Sequence, residues 1–207
     1  MQKNLTNSKW LRKIKQSLKL SDLQESVLIG TILGDGYLRL SKSGKAARLQ
    51  ICHSKSAREY LYYLHDVFED FVFAKPDFQI TNQALRFTTI SHIDLLPIYS
   101  MFYTSGVKTI PSNIGEFLTH PISLAIWFMD DGNGYKNKSS YRISTYAFGL
   151  EGSQILIDCL HKNFGIQTNL IRDSKGYQIY IPVKDGNSSR FYDLVSPFII
   201  PSMRYKL

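Results

Sequence analysis

The feature that most restricts what this chain can become is an internal repeat. Two segments, LIGTILGDGY at residues 28–37 and LAIWFMDDGNGY at residues 124–135, superpose when Asp35 is laid on Asp131, an offset of 96 residues. The same offset pairs Leu28 with Leu124, Gly36 with Gly132, Leu64 with Leu160, His65 with His161 and Phe68 with Phe164. Matches that share one register and cluster in two corresponding segments point to two diverged copies of one unit. The 207 residues therefore divide into two half-sized units, each with its own copy of the segment.

Local patterning supports the duplication. In the first copy a helix is expected over residues 22–33, capped by Ser21 with Glu25 near the capping-box position. Gly36 and Gly44 bracket YLRLS and ARLQICH, whose alternation reads as a hairpin of half-buried strands. A helical pattern then runs from Ser54 and Ser56 through Phe71, followed by a hairpin of DFQIT and ALRFTTI and a helix over residues 93–102. The second copy repeats the order: a helix over 122–129, strands in YRISTYAF, a helix over 152–164, strands in IQTNLI and YQIYIP, and a helix over 188–195. The expected fold class is α+β, two pseudo-symmetric αββαββα units at residues 21–104 and 122–207. Their antiparallel sheets form a saddle and the repeated helices pack at the centre. Gly106, Pro111, Gly115 and Pro121 mark residues 105–121 as the linker, and a basic tail spans residues 203–207.

Charge narrows the class of partner. Lys and Arg number 25 against 17 Asp and Glu, a net charge of +8, which suits a polyanion such as nucleic acid. Lys3, Lys9, Arg12, Lys13, Lys15 and Lys19 fall within residues 1–20, where there is no acid, so most of the excess is an N-terminal arm. Three readings fit that arm: an organelle transit peptide, a segment lying along phosphates, or a solvated tail. No run approaches the ~20 apolar residues of a membrane span, so no membrane partner is expected. Two cysteines, Cys52 and Cys159, are too few for a disulfide framework or a typical zinc site, which argues against a secreted mini-domain and a zinc finger. None of the five histidines stands in a recognisable metal-nuclease cluster.

The repeated helices break an ordinary rule. Their last turns carry Asp35 and the pair Asp130 and Asp131, each before a glycine suited to a C-cap. A carboxylate there faces the negative end of the helix dipole, an unfavourable placement of about 0.3–1 kcal/mol. One such acid is an ordinary turn residue; two in one register call for a compensating cation. Gly30 and Gly34 would let another helix backbone approach closely. Helices packed across the duplication axis would then bring their aspartates to one point, where paired carboxylates need a divalent metal or a shared proton.

These segments resemble the paired motifs of monomeric LAGLIDADG homing endonucleases, and SLAIWFMDDG resembles the subgroup that includes I-SceI. VKTIP at residues 107–111 and the ending IPSMRYKL look like the same subgroup. The resemblance implies that Asp35 and Asp131 are catalytic, metal-binding carboxylates. It places Gly34 and Asp130 at the seventh motif positions beside the metal, Asp130 as a secondary or structural residue, and Lys108 and Lys206 as the basic residues next to the active site. It implies Mg²⁺ as cofactor, with Mn²⁺ or Ca²⁺ able to substitute for binding, and double-stranded DNA as partner of a monomer. Each unit would serve one strand, cutting across the minor groove to leave short 3′ overhangs.

Recognition would then fall to the strands, since a β-ribbon fits the major groove. With Leu38 and Leu40 inward, alternation turns Arg39, Ser41, Arg48, Gln50, Gln79, Thr81, Arg86 and Thr88 outward in unit one. In unit two it turns out Arg142, Ser144, Tyr146, Gln167, Asn169, Gln178 and Tyr180. The two alternative readings on this scaffold are a maturase binding intron RNA and a catalytically inactive DNA-binding protein. Retention of both aspartates and both lysines argues against the inactive protein. The expected location is an organelle, mitochondrion or chloroplast, or a prokaryotic cytoplasm, and not the secreted fraction.

Overall fold

The computed structural model describes residues 9–80, 83–135 and 139–207. It opens with α1 (Lys9–Ser17) and continues through the first unit as α2 (Asp22–Leu33), β1 (Tyr37–Leu40), β2 (Ala47–Ser54), α3 (Arg58–Val67), β3 (Asp77–Gln79), β4 (Ala84–Thr88) and α4 (Leu95–Phe102). A short hairpin, β5 (Tyr103–Thr104) and β6 (Val107–Lys108), leads to the second unit. That unit holds α5 (Pro121–Asp131), β7 (Gly132–Gly134), β8 (Tyr141–Ser144), α6 (Gly149–Phe164), β9 (Asn169–Asp173), β10 (Gly176–Ile181) and α7 (Asn187–Val195).

Both units read αββαββα, and their sheets have the same topology: β1-β2-β4-β3 and β7-β8-β10-β9, every pairing antiparallel. The duplication seen in the sequence is thus a duplication of fold. Between the sheets lie α2 and α5, buried nearly all round, from Val27 to Leu33 and from Ile122 to Met129. Neither could sit in water with such surfaces exposed. One continuous apolar core, including Leu28, Ile32, Leu124 and Trp127, therefore serves both units.

Several local expectations change. At the start of α2 the capping-box partner of Ser21 is Gln24, not Glu25, because the helix begins at Asp22 and its third residue makes the reciprocal bond. The helix expected to reach Phe71 ends at Val67 and continues as a 3₁₀ turn, Glu69–Phe71. Leu40, expected inward, is 37% exposed; it is the last residue of an edge strand and has outrun the core. Residues 9–17 of the arm form a helix docked on unit one. Leu11 is buried, the rings of Trp10 and Phe73 lie 5.7 Å apart, and His92 Nε2 is 2.8 Å from the Lys15 carbonyl oxygen. The segment expected as a plain linker carries β6, a 3₁₀ turn (Ile114–Glu116) and the buried Ile110, Ile114 and Leu118. The basic tail is a 3₁₀ helix, Pro201–Lys206, folded back against Gly134.

Candidate active site

The approach of α2 to α5 is set by glycine. A Cβ on Gly30 would lie 2.3 Å from the Ser123 carbonyl oxygen and 2.8 Å from Ile126 Cβ, and one on Gly34 would lie 2.3 Å from Asp130 Oδ2. Only a residue without a side chain lets the backbones come this close. The crossing carries the C-terminal ends of both helices to the same place. There Asp35 and Asp131 line one cavity of about 190 Å³, together with Gly34, Lys108, Ser144 and Tyr146. Residues 96 apart in sequence thus share one site.

The charges in this site depend on one another. Burial, and then the neighbouring Asp35, pushes the Asp131 carboxyl up to about 7, against the pull of Lys108 and Lys206. Both lysines are held below the usual ammonium range by burial, while the surrounding aspartates pull them back up. Their hydrogen bonds explain how α2 and α5 tolerate acids at their C-termini. Lys108 Nζ donates to the carbonyls of Ile32 (2.9 Å), Gly34 (2.9 Å) and Gly36 (3.0 Å), and Lys206 Nζ donates to those of Met129 and Asp130. Each ammonium therefore supplies the cation that the helix end lacks, delivered from a segment more than seventy residues away. Gly34 and Asp130, expected beside the metal, present backbone carbonyls that these lysines hold.

Asp130 and Asp131 are adjacent in sequence and differ in environment. The Asp130 side chain is 0% exposed, accepts the backbone N–H of Asp35 at 3.1 Å through Oδ2, and has Oδ1 3.7 Å from His53 Nε2. Burial first, then the charge of Asp35, holds its carboxyl well above the usual range. His53 was missed by sequence reasoning. Its other nitrogen, Nδ1, is 3.6 Å from Asp35 Oδ2, and its side chain is 8% exposed. The signal was there in the strand alternation, which puts residue 53 on the buried face of β2 with Ala47, Leu49 and Ile51. A polar ring at a core position beside the motif is a candidate by that fact alone.

The strand registers place most of the outward candidates on common faces. In unit one Arg39 pairs with Arg48, Gln50 with Thr88 and with Tyr37, and Arg86 with both Cys52 and Asp77; Gln79 pairs with Ala84 and Ala84 with Ser54. Arg86 is tied to Asp77 at 3.2 Å. Ser41 lies just past the end of β1, and Thr81 falls outside the described residues. In unit two Arg142, Tyr180 and Asn169 are in register with Asn133, and Ser144 is paired with Gln178. Gln167 is exposed just before β9.

Two members of this set are placed otherwise than expected. Gln178 is on the outward face but only 3% exposed, and its amide donates to Tyr146 and Asp173, which close over it. Tyr146 sits in a 3₁₀ turn after β8, its hydroxyl 2.8 Å from Asp173 Oδ2. Alternation assigns a face; it does not say what covers that face.

The model of the LAGLIDADG DNA endonuclease family matches residues 25–188. The chain belongs to this family. Among LAGLIDADG relatives, a probable intron-encoded endonuclease of Wickerhamomyces canadensis is 36% identical over 97% of the chain and 91% of its own length. A cytochrome b mRNA maturase of Saccharomyces cerevisiae is 30% identical over 99% of the chain, which spans about half (51%) of that relative. The structure of the homing endonuclease I-WcaI bound to its DNA recognition sequence superposes with a TM-score of 0.87 at 32% identity, covering 97% of this chain and 93% of that one. I-DmoI in complex with DNA and Mn shares the LAGLIDADG fold at a TM-score of 0.52 and 17% identity, over 83% of this chain and 94% of that one.

Proposed function

We propose that this chain is a site-specific DNA endonuclease, a homing endonuclease that makes a metal-dependent double-strand break in a long, asymmetric duplex. Two half-sites about one helical turn apart give a target of about 20 bp. The observation that carries this reading is the cavity shared by Asp35, Asp131 and Lys108. One carboxylate from each repeat gives one reacting centre for each strand. The placement within the subgroup that includes I-SceI rests on VKTIP at 107–111 and on the ending IPSMRYKL. Our working division is two half-units, 21–104 and 122–207, each responsible for one half-site, acting as a monomer.

The donor set fits a divalent cation. Asp131 is a partly buried carboxylate that feels the charge of Asp35, and neighbouring like charges favour bound cations over two bare anions. Asp35 and Asp131 would hold Mg²⁺, with Mn²⁺ or Ca²⁺ as substitutes for binding. A bound Mg²⁺ lowers the pKa of its water and offsets charge on the phosphoryl group. Lys108 and Lys206 keep fixed positive charge beside the carboxylates. Because their ammonium groups are fastened to backbone carbonyls, they cannot swing away as charge develops in the transition state, which is the preorganisation such stabilisation needs. The outward residues of the two sheets, among them Arg39, Arg48, Gln50, Arg142 and Asn169, would read base edges in the major groove.

The decisive experiment is selection of cleaved sites from a randomised duplex library with Mg²⁺, compared with EDTA. Cleavage only with Mg²⁺, at one long asymmetric site, is the expected result. Asp35→Asn and Asp131→Asn should abolish double-strand cutting while sparing binding; full cutting by either variant would refute the assignment. A second reading, an intron RNA maturase, is favoured by the 30% identity to the yeast maturase. Splicing assistance would survive both substitutions, so the same variants separate the two activities. Similarity to a probable intron-encoded endonuclease of Wickerhamomyces canadensis supports an intron as the source.

A further inference from the structure

We propose that His53 is a metal ligand of the first unit, so that the two halves of the active site hold unlike cation sites. One contains nitrogen, at Asp35, and the other is built of oxygen alone, at Asp131. This rests on the reading that these two aspartates bind divalent cations.

The argument starts from strand alternation. Residue 53 lies on the core face of β2, where an imidazole loses its water and needs partners in return. Its partners are two carboxylates, one at each ring nitrogen: Asp35 Oδ2 at 3.6 Å from Nδ1 and Asp130 Oδ1 at 3.7 Å from Nε2. Both separations exceed the 2.7–3.2 Å of a hydrogen bond. Two donors each about 2.0–2.2 Å from a common cation lie roughly 3–3.6 Å apart, which matches the Asp35 side. His53 Nε2 and Asp130 Oδ1 have no hydrogen-bond partner among the described residues. Among the described residues, Asp35, His53 and Asp130 each bring one potential ligand atom to within 4.8 Å of the others.

The two ends of the ring have different surroundings, and this assigns their roles. The Asp130 side chain is wholly buried and its Oδ2 is fixed by the Asp35 N–H, so Oδ1 faces Nε2 from a fixed place. Asp35 is 51% exposed, so the Nδ1 side is the one a cation from solvent reaches. A ligating histidine whose far nitrogen faces a carboxylate is the usual second-layer arrangement of metal sites. The Tyr60 ring, 4.9 Å from the imidazole, backs it on the core side.

Unit two has no counterpart. The strand registers set Ile143 where Ile51 stands in unit one, so two residues on Thr145 takes the place of His53, and Asp131 shares its cavity with Ser144 and Thr145. Imidazole suits Zn²⁺, Fe²⁺ or Ni²⁺, whereas oxygen donors suit Mg²⁺, Ca²⁺ and Mn²⁺. The first unit therefore prefers the borderline metals, and the strand it serves has the sharper response to Zn²⁺ or Ni²⁺.

The test uses the full chain, labelled with ¹⁵N-histidine or unlabelled, with Mn²⁺ alone as probe and pulsed electron paramagnetic resonance as readout. Directly bound imidazole nitrogen should modulate the Mn²⁺ signal, and the modulation should change isotope with the label. His53→Ala and Asp35→Asn should remove it and Asp131→Asn should leave it. His53→Ala should lower Zn²⁺ affinity roughly tenfold or more with less effect on Mg²⁺. The wild-type spectrum decides even if the variants fold poorly. Mn²⁺ bound with no nitrogen modulation overturns the role of His53 and leaves the two-aspartate site standing; no Mn²⁺ bound at all overturns both.

Discussion

The backbone N–H of Asp35 donates to Oδ2 of Asp130 at 3.1 Å, so the acid of the first motif is aimed by a residue of the second. Each half of the site is incomplete without the other. Asp130→Leu removes that acceptor and also removes a carboxyl that burial penalises. Stability should hold or rise, because a buried ionisable group is exchanged for apolar packing. Cleavage should fall by about a hundredfold, the scale of an ångström-sized misplacement. Melting temperature and single-turnover cutting measured together would separate the two effects; undiminished cutting would remove Asp130 from the account.

Gly30→Ala tests the helix crossing. Its methyl group would meet the Ser123 carbonyl at 2.3 Å, a backbone atom that cannot rotate away. Overpacking of this kind costs about 1–3 kcal/mol, and in a chain of this size each kcal/mol lowers Tm by roughly 2–4 °C. A calorimetric scan with an unchanged Tm would mean that the helices are not packed this tightly.

Asp131 gives the metal-free protein a pH dependence. Its folded pKa, about 7, lies above the unfolded carboxylate value, so between the two the native state binds more protons. Stability therefore declines as pH rises through that window, and the decline is complete above about 7. Mg²⁺ needs the deprotonated carboxylate, so its affinity should climb over the same range. Thermal melts from about pH 5 to about pH 8, with and without Mg²⁺, should diverge with increasing pH. Parallel curves would place the Asp131 titration elsewhere.

Removal of residues 1–20 should weaken DNA binding across all sequences and flatten its salt dependence, by about one unit of slope for each phosphate that the arm neutralises. It should also lower Tm, since α1 buries Leu11 and its Lys15 carbonyl is joined to His92. Arg39→Ala should instead relax base preference at one position. An identical salt slope after truncation would show that the basic helix does not touch phosphates.

The repeat made the plan of the molecule legible, because LIGTIL and LAIWFM are apolar nearly all round, which leaves little choice but burial. What the side chains do there was less accessible. Lys108 and Lys206 could be placed near the site only by resemblance; that they cap helix ends depends on contacts across more than seventy residues. The strand β7 was overlooked because Gly132, Asn133 and Gly134 carry turn residues, and only the edge of β8 makes them pair. His53 was overlooked for another reason: a single histidine has no spacing to read, and its carboxylate neighbours come from two other elements.

The strands proposed to read DNA grow straight out of the helices that carry Asp35 and Asp131. β1 starts at Tyr37, two residues past Asp35, and β7 starts at Gly132, immediately after Asp131. If these strands read the duplex as proposed, a sheet that fails to seat in its groove would tilt the carboxylate attached to it, and a poorly matched duplex would disarm the blade it has admitted. Fidelity in such a protein need not be checked by a separate device, because the hand that feels the sequence is the hand that cuts.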